Sequence, residues 1–187
     1  MMYFDFIELT ILIASIIAVG ICLKLYKNKG KFFFIIIFCI YIAEVLNITQ
    51  FPIMSATVDR MPICSVINFK LFEHGFQQTD LLNIIMTIPF GILLPFITKF
   101  KLKKKIAANF LIGFVIESLQ FLQWLIIGFS LRISDINDII CNFIGACIGT
   151  LLFIIFSKIY NKSVSSKKLL PFFDYIYVMT NYNSKDI

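Results

Sequence analysis

Three ionisable residues lie inside or at the ends of long apolar runs in this sequence: Glu44, Glu117 and Asp138. Insertion scales put the cost of an Asp, Lys or Arg at the centre of a membrane helix at roughly 2.5–3.5 kcal/mol, so such residues are functional candidates by default. Asn47, Asn83, Gln120, Gln123 and Asn142 accompany them. Carboxylates held in a low-dielectric pocket can act as acid or base near neutral pH. In that reading Glu117 is the proton donor or acceptor, Asp138 its partner or the base, and Asp135 a third acidic candidate. Arg132 can pair bidentately with a carboxylate or phosphate, or hold developing negative charge. Gln120, Asn83 and Asn142 would orient a substrate. A lone Arg at headgroup level can also be a plain anchor, and the same cluster can bind a lipid without turning it over.

The spacing places these residues on shared faces. Gln120 follows Glu117 by one helical turn, with Trp124 four residues further on. Asp138, Asn142, Gly145 and Gly149 follow each other at 4, 3 and 4 residues, which is one helical face. Gly145 and Gly149 are a small-xxx-small seam that lets a second helix approach closely. Pro89-Phe90-Gly91, followed by Pro95, kinks its helix and opens space beside the kink. Ser134, Asp135 and Asn137 are all possible caps at the start of the last apolar run.

The elements that position these groups are membrane helices. Of 187 residues, 59% are apolar and 15% charged, far from the balance of a soluble domain. The mean hydropathy of +0.90 agrees. Five apolar runs approach the ~20 residues a spanning helix needs: about Tyr3–Leu23, Phe32–Ile48, Leu81–Phe100, Ile106–Phe129 and Ile139–Ile159. They are continuous rather than alternating, which argues against a transmembrane barrel. The first run opens with Asp5 and Glu8 and is followed by Lys24, the reverse of a signal peptide, so it reads as a permanent helix. Thirteen of the 17 basic residues cluster at the ends of the first, third and fifth runs, between Lys24 and Lys31, Lys99 and Lys105, and Lys158 and Lys168. In a five-span arrangement these segments share one side, which puts the N-terminus outside and the C-terminus inside. The expected fold is an all-α polytopic bundle of about five transmembrane helices. Residues 1–168 form a single membrane domain, and 169–187 a cytoplasmic or interfacial tail. The apolar loop of about residues 49–80 should lie at the interface or fold over the outer mouth.

Glu117 lies eleven residues from Ile106, ~16 Å along its helix. With Glu44, Asn47 and Asn83 at helix ends and Asp138 and Asn142 opening the last run, the polar groups gather in the outer half. The inner halves read as almost purely Ile, Leu and Phe, which weakens a transporter reading, since transport pathways reach both sides.

Several function classes drop out. Cys22, Cys39, Cys64, Cys141 and Cys147 are scattered, with neither a disulfide framework nor a zinc spacing. The single histidine, His74, is a poor basis for a metal site, so no metal or cofactor is expected. No catalytic triad, HExxH or GxSxG pattern occurs. The net charge of +6 reads as topology and anionic-lipid contact rather than nucleic-acid binding.

Asn83 with Pro89-Phe90-Gly91, then Glu117-x-x-Gln120, then Arg132-x-x-Asp135-x-x-Asp138-x-x-x-Asn142-x-x-Gly145-x-x-x-Gly149 resembles the VanZ-like family over about residues 80–152. These are small bacterial membrane proteins whose founding member is associated with low-level resistance to teicoplanin, a glycopeptide that targets cell-wall precursors. The resemblance implies a multi-pass protein of the bacterial cytoplasmic membrane with an envelope role at the outer face. It also implies that Glu117, Arg132, Asp135 and Asp138 matter. Expected partners are the bilayer and a lipid, a lipid-linked cell-wall precursor or a lipoglycopeptide.

Overall fold

The computed structural model describes residues 29–51, 61–73, 75–128, 133–164 and 170–184. The first apolar run, Arg132, His74 and Cys22 lie outside the described residues. Four helices are long and apolar enough to cross a membrane: α1 (Lys29–Gln50), α2 (Gln78–Ile97), α3 (Leu102–Ile127) and α4 (Ile136–Ser163). The shortest has 20 residues, so at 1.5 Å per residue it reaches ~30 Å, the thickness of the hydrocarbon core. A shorter helix, α5 (Pro171–Ser184), follows. Residues such as Phe110, Leu125, Ile126 and Ile159 are exposed on the bundle surface, as lipid-facing side chains must be.

Helix α2 packs on α4 with backbone against backbone. A Cβ on Gly145 would collide with the Ile84 carbonyl oxygen, one on Gly149 with that of Ile88, and one on Gly91 with that of Ala146. Only hydrogen fits at those three points, so the glycine spacing sets how closely the helices approach. The close approach lets the Thr87 hydroxyl donate to the Asn142 carbonyl at 2.8 Å. Pro89 and Pro95 both lie within α2. In the turn that Pro89 loosens, the Tyr41 hydroxyl of α1 donates to the Met86 carbonyl at 3.0 Å.

The two ends of the bundle differ. At one end lie Lys29, Lys31, Lys99, Lys101, Lys103, Lys104, Lys158 and Lys162. There α5 packs Tyr175, Ile176 and Met179 against Phe34, Phe96 and Phe153, and Phe34 stacks on Phe96 at 4.1 Å. Helix α5 also completes the end of α2, whose last carbonyls have no partner within their own helix. Tyr175 donates to the Phe96 carbonyl and Asn183 to that of Pro95 at 3.3 Å, while Tyr182 donates to the Lys99 carbonyl at 3.3 Å just beyond the helix end. The tail is thus a packed helix of the bundle.

The other end carries the carboxylates. Here β1 (Ile67–Asn68) pairs in parallel with β2 (Ser134–Asp135), Ile67 beside Ser134 and Asn68 beside Asp135. The loop is also tied to α3: the Trp124 indole donates to the Met61 carbonyl, and Met61 N–H to that of Gly128, both at 3.0 Å. Gly128 ends α3 with a φ of 81°, a left-handed geometry that glycine adopts without strain. The expected cover over this end is therefore present in residues 61–80.

The inner halves are less purely apolar than the sequence suggested. Asn109 is fully buried and donates to the Thr150 hydroxyl at 2.9 Å and the Ala146 carbonyl at 3.2 Å. Lys105 and Ser157 are also buried. Isolated polar residues in an apolar run leave hydropathy high while supplying interhelical hydrogen bonds.

Candidate functional site

The site is built where α4 begins. Glu117, buried on α3, accepts the Asp135 N–H at 2.9 Å through Oε2, and its backbone carbonyl accepts the Ser134 hydroxyl at 3.2 Å. Of the three possible caps, Asp135 is the one that precedes the helix. Its Oδ1 accepts the Asn137 N–H at 2.8 Å, and its Oδ2 accepts the Asn68 amide at 2.9 Å. Asn137 turns back to the loop, donating to the Lys70 carbonyl at 3.1 Å and accepting the Phe72 N–H at 3.0 Å. One helix start is thus tied to both α3 and the covering loop.

A second helix start meets it. Asp80, in the first turn of α2, is buried and accepts the Gln77 N–H at 2.7 Å. Asp138 occupies the matching position in the first turn of α4. Two helix N-termini, each with its partial positive charge, favour carboxylates at both places. The Cys141 thiol lies in range of Asp80, Asp135 and Asp138.

Two cavities adjoin these groups. A chamber of about 340 Å³ is walled by Asp80, Gln120, Asp135, Asn137, Asp138 and Phe72. A groove of about 490 Å³ runs between α1, α2 and α3, past Tyr41, Ile48, Asn83, Met86, Pro89 and Glu117. Thr79, Gln120 and Asp138 line both, so the polar chamber continues into the apolar groove. The groove passes the proline kink, as expected of a bent helix. On the far side of Glu117, a further groove of about 420 Å³ is bounded by Phe69, Phe114, Phe121 and Ile139.

Gln120 stands at the junction. Its Nε2 donates to the Thr49 carbonyl at 3.3 Å, one of the last carbonyls of α1, while its buried Oε1 has no partner among the described residues. Gln123 donates to the Gln50 carbonyl at 2.7 Å, so two amides of α3 complete the end of α1.

The structure therefore brings Glu117, Gln120, Asp135 and Asp138 together, with Asn83 in the groove. Asn142 stands apart. It is fully buried, beside the point where α3 crosses α4 at Gly113, and borders neither the chamber nor the groove. Pro89, Gly91, Gly145 and Gly149 shape the α2–α4 pair. Sequence reasoning missed Asp80, Asn68 and the site-facing role of Asn137. The signal for Asp80 was the Gln77-x-x-Asp80 pattern at a helix start. Among the described residues, no three His, Cys, Asp or Glu side chains converge as a metal site.

The arrangement can hold a polar headgroup in the chamber with an apolar chain beside it, and it places a carboxyl group, Glu117, at the groove wall. No curated protein matches the chain, and no solved structure does. The model of the VanZ/LLP1 family matches residues 32–157, which takes in α2, α3, most of α1 and α4, the covering loop and every site residue described above. This multi-pass membrane protein belongs to the VanZ/LLP1 family.

Proposed function

We propose that this protein acts in the bacterial envelope on a lipid or lipid-linked substrate, and that it contributes to resistance to glycopeptides of the teicoplanin type. The observation that carries the reading is the continuity of a carboxylate-walled chamber with an apolar groove through Thr79, Gln120 and Asp138. An amphiphile needs both compartments at once. The lysine-rich end faces the cytoplasm by the distribution of positive charge, which turns the chamber to the outer leaflet.

In this reading Glu117 donates or accepts the proton, with Asp138 as its partner or the base and Asp135 holding the start of α4 in place. Arg132 holds a phosphate or developing negative charge. Gln120 and Asn83 orient the substrate, while Asn142 packs between helices away from the pocket. The second reading keeps the pocket and removes the turnover: the protein binds or shields a lipid, a lipid-linked precursor or the antibiotic itself. It is favoured by the engagement of Glu117 and Asp135 in structural hydrogen bonds.

The test is drug susceptibility in a sensitive Gram-positive host, with teicoplanin beside vancomycin, at matched membrane levels of wild type, Glu117→Gln, Arg132→Ala and Asp138→Asn. Protection by wild type and failure of all three variants supports an acting site. Protection that survives Glu117→Gln but not Arg132→Ala or Asp138→Asn supports binding alone. Protection by every variant refutes both readings.

A further inference from the structure

Helix α3 borders an apolar groove on each of two adjacent faces. Ile116 and Gln120 line the groove between α1 and α2, while Phe114, Ser118 and Phe121 line the one against β1 and α4. At about 100° per residue these sets occupy neighbouring sectors of the helix, and Glu117 falls on the edge between them. Among the described residues, Glu117 alone lines both grooves. The polar chamber opens into each. It shares Thr79, Gln120 and Asp138 with the first groove, and Asn68 and Asp135 with the second. One polar compartment thus leads into two apolar ones of similar size, about 490 and 420 Å³.

Both grooves have the reach of an acyl chain in one leaflet. The first follows α2 from Thr79 to Pro89, ~15 Å at 1.5 Å per residue, and the second follows α3 from Leu122 to Phe114, ~12 Å. Half of the hydrocarbon core is also ~15 Å. The walls continue into side chains exposed on the spanning helices, Ile48, Leu82 and Ile85 at the first groove and Phe114 and Leu122 at the second, where lipid is the solvent. At the mouth of the second, Phe69 of the covering loop is 75% exposed. A single-chain amphiphile would use the chamber and one groove only.

We propose that the protein binds one two-chain lipid astride α3, with its headgroup in the chamber and one acyl chain in each groove. This rests on the reading of the pocket as a lipid site and names the class of lipid it selects. The branch point, where the two chains join the headgroup, then lies against the Glu117 carboxyl group, because that is where the two grooves meet.

The experiment measures lipid binding to the purified full-length protein in a mild detergent by native mass spectrometry. The probes are diacyl and single-chain lyso forms of phosphatidylglycerol and of phosphatidylethanolamine, all with the same acyl chain. Wild type should bind one diacyl lipid at saturation, about tenfold or more tighter than its lyso form, ~1.4 kcal/mol. Ile85→Trp puts bulk into the first groove, and Ser118→Trp into the second. Each should bring the diacyl lipid to within about threefold of the lyso form, ~0.6 kcal/mol, while lyso binding changes by less than about threefold because the other groove still takes one chain. Leu82→Trp and Leu122→Trp, at exposed positions on the same two grooves, replace either variant if it fails to fold. Equal binding of the diacyl and lyso forms to wild type would overturn the inference and leave the lipid-site reading standing. So would a response to only one of the two grooves, or a diacyl preference that survives both variants, since partition into the detergent would then account for it. Two diacyl lipids at saturation, one lost in each variant, would overturn the single astride lipid and leave two separate lipid sites. Saturable binding of none of the four lipids would overturn both readings.

Discussion

Replacing Glu117 separates its hydrogen bond from its proton. Its Oε2 accepts the Asp135 N–H at 2.9 Å, and this bond joins α3 to the residue that caps α4. A leucine at 117 leaves that N–H without its acceptor near the base of the chamber. Hydrogen bonds to charged groups contribute about 1.5–3 kcal/mol, and an orphaned buried donor costs about 1–3 kcal/mol. Asp135 is only half-buried, so water can recover part of the loss, and Glu117→Leu should cost about 1–2 kcal/mol. Glutamine keeps an acceptor oxygen at the same reach, so Glu117→Gln should stay within about 0.5 kcal/mol of wild type. The assay is equilibrium unfolding in mixed micelles of a mild detergent and sodium dodecyl sulfate. If Glu117→Gln falls as far as Glu117→Leu, the carboxylate charge rather than the acceptor holds the start of α4, and the argument from geometry is wrong. If neither variant falls, the contact does not support the fold.

Three further outcomes follow from the packing. Gly149→Ala sets a methyl group against the Ile88 carbonyl and should cost about 1–3 kcal/mol by overpacking, whereas the surface change Ile126→Ala should stay within about 0.5 kcal/mol in the same unfolding assay. Asn183→Leu removes the donor to the Pro95 and Met179 carbonyls and should cost about 1–3 kcal/mol, also read by unfolding; an unchanged midpoint would mean that α5 does not complete α2. In a chain whose sole cysteine is the exposed Cys64, a membrane-impermeant maleimide should label intact cells, while a sole cysteine placed at Lys103 should label only after permeabilisation; the reverse pattern would invert the topology.

What was legible in the sequence follows from which interactions are local. The spans could be read because a bilayer demands continuous apolar length, and α1 to α4 lie on four of the expected runs. Their ends shifted where polar residues continue a helix beyond the hydrocarbon: α1 is already helical at Lys29, ahead of Phe32, and ends at Gln50 rather than Ile48. The Gly145–Gly149 seam was readable because both residues sit on one helix at a fixed period. The meeting of Glu117 with Asp135 could not be read, for nothing local requires it, and the family pattern implied only that both residues matter. Asn68 escaped notice because its partner Asp135 is 67 residues away. Asn109 escaped because one amide barely alters an apolar run, and its partners lie across the bundle on α4. The first apolar run and Arg132 lie outside the described residues, so their part in the site rests on the sequence pattern.

The attachment of α5 to α2 has a consequence for how the chain is made. The carbonyls of Phe96 and Pro95 receive their donors from Tyr175 and Asn183, 79 and 88 residues later. At 5–20 residues per second the ribosome needs roughly 4–18 s to supply them. For that interval α2 is already synthesised with its last turn incomplete, while α3 and α4 are still being made. This end of the fold therefore closes only after α5 has been made, and a premature stop between Ser163 and Tyr175 leaves a chain that has every described membrane helix but an open end on α2. Quality-control proteases that read unfinished membrane helices would find their signal at that lysine-rich end, on the opposite face from the chamber.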